Sequence, residues 1–130
     1  MPHLPDHLSV HFPLIDQRHA EFWELYTRLK NAQAEEFLHC FQEMIAHTRI
    51  HFAEEEADML TTLYPNIKEH CQEHQKALEE MTYFYNKAKD GKKIFAVAYV
   101  NDRLEDWFKT HLLNMDSDLA RVLKLSHSSC

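Results

Sequence analysis

The sequence predicts an all-α fold, an antiparallel up-down-up-down four-helix bundle with an extended N-terminal arm, and three observations predict it. The 130 residues contain one glycine and four prolines, so long helices meet few breakers. Four stretches repeat apolar residues at the period of an α-helix. The breaks between them are short, which makes successive helices antiparallel neighbours. One domain is expected over residues 1–130, large enough to bury a core without disulfide staples.

Residues 1–14 hold Pro2, Pro5 and Pro13 and read as an arm lying on a bundle that occupies about residues 15–124. Asp16 is placed to cap the first helix, whose stripe Ile15, His19, Phe22, Trp23, Tyr26 and Leu29 runs to about Asn31. The second helix spans about Ala34 to Leu63. Tyr64-Pro65-Asn66 interrupts it, and Pro65 suits the first turn of a third helix carrying Ile67, His70, His74, Leu78, Met81 and Tyr85 on one side. Asp90-Gly91 stops that helix, with Lys87 and Lys89 favourably set in its last turn. A fourth helix starts near Lys92 and reaches about Lys124. Its stripe reads Phe95 or Val97, Asn101, Leu104, Phe108, His111, Met115, Leu119 and Val122.

A net charge of −7 disfavours nucleic acid and anionic membrane as partners. The longest apolar run, Ile94 to Val100, is far too short to span a bilayer, and the arm does not read as a signal peptide. Cys40, Cys71 and Cys130 form no C-x-x-C pair and are odd in number, which suits a reducing compartment and inert thiols. A cytoplasmic location is therefore expected. Eleven histidines are more than packing needs, and their placement carries the functional reading.

Within His47-Thr48-Arg49-Ile50-His51-Phe52-Ala53-Glu54-Glu55-Glu56, His51 and Glu55 stand at i and i+4 on one helix face. His19 on the first helix, His70 and His74 on the third and His111 on the fourth also lie on apolar stripes, near mid-helix. Together with Glu55 and Asp116 they would bring imidazoles and carboxylates into one buried cluster. Unpaired, each such group costs several kcal/mol, on the order of 2–7, to bury; a bound cation removes that cost. Imidazole and carboxylate suit iron, zinc or manganese, and seven donors exceed one tetrahedral zinc but serve two ions bridged by carboxylates, with iron the first choice.

Asp116 fits least well, since five residues beyond His111 it stands about 140° round an ideal helix. A single π-turn would close the gap. Glu54 and Glu56 flank Glu55 by about 100° on either side and are expected to be solvated. Asp58, one heptad beyond His51, is read as a solvated residue near the helix end, with a place behind the ligands as the alternative. His47 is read as a hydrogen-bonded histidine in the core or behind the ligands, and not as a ligand itself. His3, His7, His11, His39 and His127 are set aside as surface residues.

Ile15-Asp16-Gln17-Arg18-His19, the run His51 to Met59, His70-x-x-x-His74, and Trp107-Phe108-Lys109-Thr110-His111 followed by Asp116 resemble the hemerythrin family over roughly residues 15–120. The resemblance is to its single-domain bacterial members. It implies reversible O2 binding at two irons, one held by His70, His74 and His111, the other by His19 and His51 with a position left open. Glu55, Asp116 and an oxo or hydroxo group would bridge them, and Trp107 and Phe108 would line the O2 pocket. The implied partner is O2, for carriage, storage or delivery to an oxygen-consuming enzyme, by a chain expected to be monomeric. A sensing domain is the nearest alternative, and the lack of a fused signalling segment in this sequence speaks against it. A ferritin-like oxidase or peroxidase is the rival from another class, but it wants Glu-x-x-His pairs on the site, and Glu36 to His39 lies off it. The family pattern usually has glutamine where Arg18 stands, tyrosine near His47 and leucine where Phe108 stands. Phe12 is read as replacing an arm tryptophan.

Overall fold

The computed structural model describes residues 4, 8–10, 12–33 and 35–128, with only the backbone of 126–128. Its helices are α1 Pro13–Lys30, α2 Phe37–Thr61, α3 Ile67–Lys89, α4 Lys93–Ala98, α5 Glu105–His111 and α6 Ser117–Ser128. A π-helical stretch Tyr99–Leu104 joins α4 to α5, and a second, Leu112–Asp116, joins α5 to α6. Ala98, Leu104 and His111 at the junctions keep right-handed helical backbone, so the last five segments form one continuous fourth rod. No strand occurs among the described residues.

Helix α1 begins earlier than the sequence suggested. Phe12 is extended, and Pro13 takes the first helical position, where a missing N–H costs no hydrogen bond. Asp16 therefore sits inside the first turn instead of capping it. Its carboxylate accepts Ser9 Oγ–H at 2.6 Å and the Val10 N–H at 2.8 Å, fastening the segment before the helix to α1. Leu8 and Val10 are buried in the core there. Pro13 and Leu14 thus belong to the helix and not to the expected arm; His3, His7 and His11 lie outside the described residues.

Leu63 ends α2 in the left-handed region at φ 54°, while the Tyr64 N–H reaches back to the Met59 carbonyl at 2.9 Å. Such a backward bond satisfies a carbonyl that the helix end would otherwise leave unpaired. Pro65 falls in the turn, and α3 opens only at Ile67, two residues later than expected. Gly91, at φ 86°, follows α3 as anticipated.

Helix α1 packs on α2, α2 on α3 and α3 on α4. One apolar cluster joins them, including Ile15, Phe22, Tyr26, Phe41, Met44, Met59, Met81, Leu104, Phe108 and Leu119. The fourth rod corrects the predicted stripe. Phe95 and Asn101 face solvent, while Ala96, Tyr99, Val100 and Leu112 are buried. Each π-turn fits an extra residue into its loop and rotates everything beyond it by roughly 100° relative to an unbroken α-helix.

Candidate metal centre

The second π-turn acts where the sequence needed it. The Ser117 N–H bonds the Leu112 carbonyl five residues back, and residues five apart then share a face, so Asp116 turns inward beside His111. Both are buried. Asp116 Oδ1 lies 3.1 Å from His111 Nε2 and 2.9 Å from His70 Nε2. Its other oxygen, Oδ2, lies 2.8 Å from His19 Nε2. The carboxylate thus faces histidines of α3 and α5 with one oxygen and the histidine of α1 with the other.

From α2, Glu55 Oε1 stands 2.7 Å from His70 Nε2 and 3.0 Å from His74 Nε2. His70 and His111 bring their Nε2 atoms to 3.2 Å. One ligand atom from each of Glu55, His70, His74, His111 and Asp116 lies within 4.8 Å of all the others. Metal bonds of about 2.1 Å at right angles place neighbouring donors about 3.0 Å apart, so this donor set and its spacing fit a cation.

Electrostatics point the same way. Burial opposes charge on Asp116, yet the charge and hydrogen bond of His111, with bonds from His19 and His70, hold its carboxyl well below the usual range. For His70, burial disfavours the proton, but the bonds and charges of Asp116 and Glu55 raise it to about 9. The Asp116 carboxylate is thus kept ionised and attracts positive charge, which a proton or a metal can supply. The buried Nδ1 atoms of His19, His70 and His111 have no hydrogen-bond partner, nor has the buried Nε2 of His51, while the Nε2 atoms of His19, His70, His74 and His111 are engaged in the cluster.

His51 is not brought into that group. Its Nδ1 lies 3.3 Å from Glu54 Oε1 and its Nε2 2.8 Å from Glu21 Oε2, although it borders the same small cavity as His19, Glu55 and Asp116. The cavity, about 20 Å³, is also walled by Phe22, Phe52, Trp107 and Phe108. That is room for roughly one water-sized molecule. Phe52 stacks on His74 at 3.7 Å and Trp107 on His111 at 4.9 Å, fixing both ring planes.

Several neighbours differ from expectation. Glu56 is half-buried and its Oε2 accepts from His74 Nδ1 at 2.9 Å. Asp58 accepts from Arg18 Nη1 at 2.9 Å, and the Arg18 Nε stands 3.7 Å from Glu54. Arg18 is itself buried and borders the cavity. His47 is exposed on α2 instead of lying in the core. None of these contacts could be read from one helix at a time, because each partner belongs to a neighbouring helix.

Residues 10–123 match the family model described as Hemerythrin HHE cation binding domain. Bacteriohemerythrin of Ralstonia nicotianae (strain ATCC BAA-1114 / GMI1000) is 33% identical over 101 residues, covering 78% of this chain and 73% of that protein. No solved structure gives a significant match. With the family model spanning the helices that carry the buried histidine and carboxylate cluster, the chain belongs to the hemerythrin family.

Proposed function

We propose that this chain binds O2 reversibly at a non-haem di-iron centre, for carriage, storage or delivery, in a single up-down-up-down bundle acting as a cytoplasmic monomer. The observation that carries the two-metal reading is Asp116, whose oxygens divide between His70 with His111 and His19. A carboxylate so divided suits a bridge. His70, His74 and His111 would hold one iron, His19 and His51 the other, and Glu55 would bridge beside Asp116. His51 would have to leave Glu21 for that role. The irons, cycling between Fe(II) and Fe(III), would supply the two electrons that reversible O2 binding requires.

The surrounding residues bind, orient and exclude. Aromatic rings of Phe52 and Trp107 hold His74 and His111 in plane, while Phe22 and Phe108 give the cavity an apolar wall. Its size favours a diatomic ligand over an organic substrate, for which a pocket of about 300–1,000 Å³ is usual. That observation weighs against the oxidase reading.

Purified protein grown with iron is expected to hold two irons per chain and, exposed to air, to show oxo-bridged diferric absorption that reverses under vacuum. One zinc per chain under the same conditions would overturn the proposal. Removing one of two histidines from the O2-binding iron should also hurt more than removing one of three from its neighbour. At matched iron content, His19→Ala is expected to abolish oxygenation more completely than His74→Ala; equal losses in O2 titration would contradict the ligand division.

A further inference from the structure

We propose that Glu56, outside the ligand set, is the positioning residue of His74, keeping that ring's proton on Nδ1 and its Nε2 lone pair toward the metal. The inference rests on the di-iron reading above and assigns a task to a residue which that reading leaves out.

A carboxylate only accepts hydrogen bonds, so the 2.9 Å contact between Glu56 Oε2 and His74 Nδ1 needs the proton on Nδ1. By the same rule Nε2, which faces the Glu55 carboxylate, shares a proton with it in the metal-free site; a bound metal would displace that proton and take the Nε2 lone pair, while the Nδ1–H stays on Glu56. That Nε2 lies 3.0 Å from Glu55 Oε1 within the convergent group. The Phe52 ring, stacked at 3.7 Å and 6° from parallel, fixes the plane of His74; the bond to Glu56 fixes which edge of the ring faces inward. His74 differs here from its neighbours, because the Nδ1 atoms of His19, His70 and His111 are buried without partners. The His74 side chain is 1% exposed and that of Glu56 37%, so the carboxylate reaches solvent while its partner does not. A carboxylate behind a ligating imidazole strengthens it as a donor, and loss of such a partner typically costs about 10–100-fold in metal affinity.

The test compares Glu56→Ala and Glu56→Gln with Glu79→Ala, an equal charge change on α3 where the carboxylate bonds Gln75. In metal-free protein labelled with nitrogen-15, His74 is expected to carry a proton on Nδ1 beside the one Nε2 shares with Glu55, and to lose the Nδ1 proton in Glu56→Ala. In iron-loaded protein, retention of iron against a competing chelator should fall about 10–100-fold in Glu56→Ala and less in Glu56→Gln, with the reduction potential rising in the same order. Glu79→Ala should match the parent in each measurement. A proton kept on His74 Nδ1 in Glu56→Ala, or iron loss no greater than in Glu79→Ala, overturns the assignment. Should Glu56→Ala fail to fold, the isosteric Glu56→Gln decides by its retention and potential: values equal to the parent's overturn it. A parent without two irons would defeat the di-iron reading alone, since the Nδ1 proton measurement on metal-free protein still decides the role of Glu56.

Discussion

Glu55→Ala is expected to leave a helical protein holding less than about a tenth of the parent's iron after gel filtration with chelator, because the proposed di-iron site would lose a donor bridging both ions. Glu55 is 4% exposed, with Oε1 at 2.7 Å from His70 and 3.0 Å from His74. Deleting one partner of such a buried charged group costs on the order of 3–5 kcal/mol, so the metal-free variant should also melt earlier. The pH dependence separates the two losses. In the metal-free parent, His70 is raised from 6.5 to about 9, against the opposition of burial, by its bonds to Asp116 and Glu55. A proton held more tightly in the folded state stabilises fully below about 6.5 and less as pH rises through about 9. Glu55→Ala should flatten that fall, measured by thermal unfolding across the range. Full iron content in the variant, or an unaltered pH profile, would contradict the role given to Glu55.

The four rods were legible because helical spacing and chain punctuation agree. Gly91 marks the end of α3 at the one position whose φ of 86° requires it, and the alternation of apolar stripes and short breaks fixed the rest to within a few residues. Asp116 shows how far that reasoning reaches. Its angular misfit with His111 implied a π-turn, and Leu112–Asp116 is π-helical. The earlier π-stretch Tyr99–Leu104 carried no such signal, because no pair of chemically distinctive residues straddles it, and the predicted stripe therefore exposed Tyr99 and buried Asn101 in error. Contacts between helices were illegible for another reason. Glu54, Glu55 and Glu56 are spread about 100° apart, which predicts solvent for the outer two on an isolated helix. Glu54 does stay exposed, with Arg18 of α1 at 3.7 Å, but packing draws Glu56 part-way in and gives it His74 of α3 as a partner.

Phe108→Ala is expected to speed autoxidation of the oxygenated protein about tenfold or more, equivalent to at least 1.4 kcal/mol in the barrier, because it opens the apolar wall of the site to water. Phe108 is 4% exposed, stacks on Phe22 at 4.4 Å, meets the His19 ring edge-on at 5.7 Å and approaches Trp23 at 5.9 Å. With Phe22 it therefore forms the apolar wall beside the proposed O2 iron. The present cavity of about 20 Å³ has room for roughly one water-sized molecule, and removing the ring joins that space to a larger one. Water then reaches a site whose charge separation the dry wall had opposed. Phe108→Leu, a smaller and more flexible wall, should speed O2 uptake and release with a lesser rise in autoxidation. Plain loss of packing would cost Phe108→Ala about 3–5 kcal/mol in any case, so stability alone decides nothing. Leu104→Ala provides the comparison, being fully buried on the same rod but not among the residues that border the cavity, with an expected cost of about 2–5 kcal/mol. Stopped-flow O2 kinetics and autoxidation rates, measured beside thermal unfolding, should change in Phe108→Ala and stay at parental values in Leu104→Ala. If both variants are destabilised and neither alters the oxidation rate, Phe108 packs the bundle and guards nothing.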